Sequence, residues 1–218
     1  MSEEQIKKDV VEQLYWDSRV NASDITVDVT DGKVTLEGSV PTYSVRQAAE
    51  ADCFTVLGVT AVVNNLKVEH PRESSVPSDD EIENKIKSLL LWSPDVDATD
   101  ITLSVVSGLV TLEGAVDSYW KKVKAEELAG TIFGVVKIIN DIAVVPTDRI
   151  VDKVIAKDMA GALDRHADIN PDTIHVEVTD GVVSLSGSVD NWREYRATEE
   201  VVRHTPGVVD VRNELIIA

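Results

Sequence analysis

Apolar residues along the chain follow two periods that succeed one another in a fixed order. Ile6, Val10 and Leu14 recur every fourth residue behind Ser2-Glu3-Glu4-Gln5, an S-x-x-Q capping pattern, and together they predict a short amphipathic helix. The period then drops to two. Ile25, Val27 and Val29 alternate with Thr26, Asp28 and Thr30 as a half-buried strand requires, and Val34, Leu36 and Val40 predict a second strand. Asp31-Gly32 between them suits a type I′ turn, which needs positive φ at both central residues. A second helix is predicted to begin at Tyr43 and to stop at Gly58, where glycine can take the left-handed cap. Val62, Asn64, Leu66 and Val68 then predict a third strand.

The whole pattern returns twice. Ser78-Asp79-Asp80-Glu81 opens a helix on Ile82, Ile86 and Leu90, and the third copy presents Ile155, Met159 and Leu163. In the third copy the helix is predicted to start earlier, near Asp148, with Ile150, Val151 and Val154 extending its apolar face. Ile101, Leu103, Val105 and Ile174, Val176, Val178 repeat the first strand, and Ser107-Gly108 and Asp180-Gly181 repeat the turn. Tyr119 and Trp192 open the second helix as Tyr43 does, and Gly134 and Gly207 are expected to stop it. Gly38, Gly114 and Gly187 fall on the inward parity of the second strand, so a bulge or a closely packed helix backbone is expected there. Each copy therefore reads helix, strand, strand, helix, strand. Strand–helix–strand crossovers are right-handed and parallel, so the last two strands of each copy should be parallel and the hairpin antiparallel. The predicted class is α+β: three tandem αββαβ modules, each a three-stranded mixed sheet covered on one face by two helices, over residues 1–70, 78–146 and 147–218. Each module has roughly 70 residues, near the lower limit for an independent core. The polar, proline-bearing stretch 69–78 is predicted to be a flexible linker.

Hydrophobic residues make up 43% and charged residues 28%, the balance of a globular chain. The formal net charge of -18 is spread over all three modules, which argues against nucleic acid as a partner, because that affinity comes from Lys and Arg neutralising phosphates. One cysteine, Cys53, excludes an intrachain disulfide framework and reads as a small buried side chain. The four histidines are widely separated, so neither a metal site nor a cofactor is expected. Phosphate-binding glycine loops and nucleophile elbows are absent from the sequence, and an enzyme is not expected. No run reaches the roughly 20 apolar residues of a membrane span. As written the chain is expected to be cytoplasmic, with the periplasm as the alternative if an export signal has been removed.

The order of elements, the (D/S)-G-x-V-(T/S)-L-x-G-x-V hairpin, the Gly-Val pair before the last strand, and Asn64, Asn140 and Asn213 two residues ahead of Leu66, Ile142 and Leu215 together resemble the BON domain. The resemblance covers nearly the whole chain three times. It implies a bacterial, non-enzymatic binding protein of osmotic or envelope stress that associates with phospholipid surfaces. The alternative it implies is a soluble chaperone or protein-interaction scaffold.

Two segments are the candidates for lipid or partner binding. In Tyr119, Trp120, Lys121, Lys122 and Lys124, amphipathic aromatics stand beside lysines, the mixture that favours a headgroup interface. Trp192, Arg193 and Arg196 form a weaker copy. Trp92, following Leu89-Leu90-Leu91 at the end of a first helix and matched by Trp16, has three open uses: packing between modules or against a partner, plain core, or membrane insertion. Asn64, Asn140 and Asn213 are read as structural amides bonded to a neighbouring loop.

Overall fold

The computed structural model describes residues 1–70, 75–148 and 150–218; Pro71–Ser74 of the expected linker lie outside them. Contacts divide the chain into two compact units. One comprises Met1–Leu89, Leu103–Thr111 and Leu128–Ile139, the other Leu90–Thr102, Leu112–Glu127 and Asn140–Ala218.

The first copy of the repeat lies in the first unit. Ser2 caps α1 (Glu3–Trp16) by accepting from Gln5 N, and a 3-10 turn at Ala22–Asp24 leads into β1 (Ile25–Thr30). β1 pairs antiparallel with β2 (Lys33–Val40), which pairs parallel with β3 (Ala61–Asn64) after the crossover helix α2 (Tyr43–Phe54). The third strand is interrupted here: Lys67–Val68 forms a separate short strand, β4, also parallel to β2. The break falls where Leu66 N–H turns to its own chain and donates to Asn64 Oδ1 at 3.2 Å. Ile6, Val10 and Leu14 of α1, Val27 and Val29 of β1, Val34, Leu36 and Val40 of β2, and Ala48, Ala49 and Cys53 of α2 form one core, so both helices cover the same sheet face. Cys53 is fully buried and its thiol donates to Ala49 O.

In the second copy, α3 (Asp79–Trp92) precedes β5 (Ile101–Val106), β6 (Leu109–Val116), α4 (Tyr119–Gly130) and β7 (Lys137–Val144), with sheet order β5-β6-β7. The third copy, in the second unit, comprises α5 (Asp152–Arg165), β8 (Ile174–Thr179), β9 (Val182–Val189), α6 (Trp192–His204) and β10 (Asp210–Ile217). Here β9 is antiparallel to β8 and parallel to β10.

Each hairpin turns as the sequence predicts, with φ of 51° and 76° at Asp31-Gly32, 52° and 73° at Ser107-Gly108, and 51° and 77° at Asp180-Gly181, a type I′ turn each time. Gly38 is required for a different reason from the bulge or helix contact expected, since the register runs unbroken through Ile25 opposite Gly38. A Cβ there would stand 2.0 Å from the carbonyl oxygen of Asp24, in the loop before β1, and the same collision recurs at Gly114 with Asp100 and at Gly187 with Thr173.

Four helix boundaries differ from the predicted ones. The second helices end at Phe54, Gly130 and His204, before the glycines, because Thr55, Thr131 and Thr205 turn their hydroxyls back onto the carbonyls of Asp52, Leu128 and Val201. Gly58, Gly134 and Gly207 keep positive φ in the turn beyond. The third copy's first helix does not start near Asp148. Val151 is its N-cap in extended conformation without a side-chain bond, Ile150 precedes the helix, and of the three apolar residues only Val154 is helical. The start is set by Asp152, whose carboxylate accepts from the turn amides of Asp180 and Gly181, both at 2.9 Å.

Candidate functional site

Helix α4 positions the first candidate segment. Its opening residue Tyr119 is half-buried and packs against the apolar cluster of the third copy. Burial first, then the negative charges of Asp210 and Glu199, push its phenol above the usual range. Trp120 stacks on His204 at the end of α6, with ring centroids 5.9 Å apart and planes at 20°. The Lys121 ammonium lies 5.8 Å from the Trp120 ring centroid and pairs with Asp117 at 2.7 Å, holding that carboxyl below the usual range. Lys124 meets Glu127 at 3.5 Å, and Glu127 also accepts from Arg203 Nη2 at 2.7 Å. Trp120, Lys121 and His204 line an open cavity of about 380 Å³ with Asp117 and Pro146. The segment thus comes together, but two of its three lysines are spent on carboxylates and both aromatics are packed. Lys122 is the lysine whose ammonium has no ion pair among the described residues; its carbonyl accepts from Asn140 Nδ2 at 2.9 Å.

The weaker copy is more open. On α6, Trp192 and Tyr195 stack at 4.9 Å with planes at 16°, and the Arg196 guanidinium lies 5.9 Å from the Trp192 centroid while approaching Glu199 at 4.0 Å. Arg193 is exposed. Burial raises the Tyr195 phenol to about 12.

Trp92 departs from the core alternative altogether. It is 87% exposed and its neighbour Leu91 70%, while the matching α1 residues Trp16 and Tyr15 are 79% and 75% exposed. Leu90 and Leu14, one residue earlier, fill the cores. Successive helical residues are turned about 100° apart, so a core leucine leaves the next two side chains facing solvent. Tyr15 and Trp16 pack edge to face at 6.2 Å.

No helix among the described residues is long and apolar enough to cross a membrane, and they contain no group of three or more His, Cys, Asp or Glu side chains placed to hold a metal ion.

The BON domain profile matches residues 2–70, 78–146 and 151–218. The chain belongs to the BON domain family. It is 31% identical over 143 residues to osmotically-inducible protein Y of Escherichia coli (strain K12), covering 63% of this chain and 71% of that protein. It is 32% identical over 129 residues to a 21 kDa hemolysin of Actinobacillus pleuropneumoniae, covering 59% of this chain and 63% of that one. A protein encoded in the gshII 5′ region of Anaplasma centrale is 29% identical over 119 residues, covering 52% and 78%.

Across the BON modules the recurring asparagine is structural, with a different partner from the one expected. Asn64 Nδ2 donates to Arg46 O at 2.9 Å and Glu50 Oε2 at 3.0 Å, both on α2, and Asn140 does the same to Lys122 O and Glu126 Oε2 on α4. Asn213 reaches Glu199 on α6 at 3.3 Å. The partner of the amide nitrogen is the crossover helix, not a loop.

Sequence reasoning missed the acid that ties each module's first helix to its hairpin. Glu3 accepts from Asp31 N, Asp79 from Ser107 N and Gly108 N, and Asp152 from Asp180 N and Gly181 N. The signal was present, since an acid stands at the first helical position in every copy. It also missed Glu194, 4% exposed, whose carboxylate accepts from Asn170 N at 2.6 Å and Asp190 N at 2.8 Å; the Asn191-x-x-Glu194 capping pattern announces it.

Proposed function

We propose that this chain is a non-enzymatic BON-repeat protein of osmotic or envelope stress that associates with phospholipid surfaces through the exposed ends of its first helices, Tyr15-Trp16 and Leu91-Trp92. The observation that carries the reading is the 87% exposure of Trp92 beside Leu91, repeated at the same helical position in the first module. Tryptophan and tyrosine are amphipathic and settle at the headgroup level, where an indole is stabilised without full burial. Binding by this route depends little on lipid charge, which matters for a molecule at net -18 whose Lys121 and Lys124 are already paired. The similarity to an osmotically inducible protein supports the stress setting.

Co-sedimentation with zwitterionic and anionic vesicles tests it. Binding to both, with a blue shift of tryptophan emission and loss on Trp16→Ala/Trp92→Ala substitution, is the expected result; no sedimentation with either vesicle overturns it.

The ion pairing of the α4 lysines favours a second reading, a chaperone or interaction scaffold that receives protein on the same apolar helix ends. That reading predicts suppression of client aggregation that falls in the double alanine variant while vesicle binding is absent.

A further inference from the structure

At one position of the crossover helix the first module has an acid where the other two are apolar. Counted from Tyr43, Tyr119 and Trp192, Asp52 of α2 stands where α4 has Leu128 and α6 has Val201. Asp52 is only 7% exposed, and its Oδ2 is buried without a hydrogen-bond partner. Gln13 of α1 and Asp17, the C-cap of α1, face it, and Arg19 acts on it by charge. On its own helix the adjoining titratable group is the Cys53 thiol, raised to about 12 by burial first and then by the charges of Asp52 and Glu50.

Arg19 is already committed to Asp17. Its Nε donates to both Asp17 oxygens, at 3.0 and 2.9 Å, its Nη2 donates at 2.5 Å, and its backbone N–H adds a bond at 2.8 Å. These bonds hold the Asp17 carboxyl well below the usual range. Asp52 therefore meets an ionised neighbour from a largely buried site, and two carboxylates so placed resist ionising together. Burial first and Asp17 second raise the Asp52 carboxyl to about 6.

We propose that Asp52 and Asp17 hold one proton between them, and that this proton clamps the C-terminal end of α1, with its exposed Tyr15 and Trp16, onto α2. In the acid form the Asp52 O–H donates to the Asp17 carboxylate. When the proton leaves to water, two carboxylates face each other with only the Gln13 amide and the Arg19 charge to offset them. Trp16 immediately precedes the Asp17 cap, so a loosened cap loosens the helical turn that carries the exposed aromatic pair. Because the raised group binds its proton more tightly in the folded module than in the unfolded chain, its stabilising contribution is complete below the ordinary carboxylate value. It is lost as pH rises through about 6. The depressed Asp17 carboxyl works in the opposite sense, and its contribution is lost only in stronger acid. The clamp goes beyond the lipid-binding reading and does not rest on it.

The test uses the full chain: 13C NMR titration of the Asp52 carboxyl, with amide hydrogen exchange at Tyr15, Trp16 and Asp17 on both sides of the transition, corrected for intrinsic rates. A midpoint near 6 and a several-fold loss of protection on the alkaline side are expected. Asp52→Asn, which keeps a donor, should hold its protection at both pH values, and Asp52→Leu, matching the second module, should exchange without pH dependence. An Asp52 midpoint in the ordinary carboxylate range overturns the proposal, as does equal pH dependence of exchange in the wild type and Asp52→Asn. The wild-type titration needs no variant and decides even if a variant does not fold.

Discussion

Asn64 joins three backbone elements with one short side chain: its amide donates to Arg46 O and Glu50 on α2, and its carbonyl accepts from Leu66 N. Removing it leaves a part-buried carbonyl and N–H without partners, a loss of about 1–3 kcal/mol. Denaturant unfolding of Asn64→Ala or Asn140→Ala is expected to show a deficit of that size, and an unchanged midpoint would contradict the role given to these amides. Their structural nature was legible from the repeat. Their partner was not, because Asn64 and Glu50 become neighbours only when the crossover helix is laid on the sheet. At Gly114 a Cβ would come within 1.9 Å of Asp100 O, nearer than any rotamer change can relieve, so Gly114→Ala should unfold the second module or displace its hairpin. Loss of dispersed amide NMR signals from that module would report it.

At the scale of elements, the first helices differ in how they begin. α3 has a full capping box, with Glu81 accepting from Ser78 N at 2.8 Å and Ser78 Oγ accepting from Glu81 N at 3.3 Å, whereas α5 has Val151 at its N-cap and no side-chain cap bond. Val151→Ser combined with Val154→Glu restores the pattern and is expected to stabilise the third module by about 1 kcal/mol. The reverse is expected for Asp79→Ala, which strips two turn amides of their acceptor and costs about 1–2 kcal/mol through the hairpin it holds. Both are checked by thermal unfolding of the full chain. The apolar period suggested an early start for α5 because Ile150, Val151 and Val154 look helical in sequence. The actual boundary follows from Asp152 reaching the distant Asp180-Gly181 turn, a contact invisible to local pattern.

For the whole molecule, the net charge of -18 means that folding draws like charges together. Raising ionic strength from about 10 mM to about 300 mM screens that repulsion and is expected to raise the unfolding temperature, whereas binding to phosphatidylcholine vesicles by exposed tryptophans should change little. A strong salt-induced release from such vesicles would instead point to Lys122 and the arginines of α6. The candidate segments separate on the same ground. Tyr119, Trp120, Lys121 and Lys124 looked like a headgroup site as a run of residues, yet the third module and nearby carboxylates occupy them, while Trp92, weighed as possible core, stands in solvent.

By itself the sequence determined the element order, the type I′ turns, the glycines and the threefold repeat, because each rests on backbone geometry within a few residues or on a hydrophobic period. Tertiary structure alone decided which aromatics are exposed, which lysines are neutralised, and that Asp52 is buried against Asp17. Those properties belong to pairs of side chains far apart in the chain, and no local pattern records the distance that folding leaves between them.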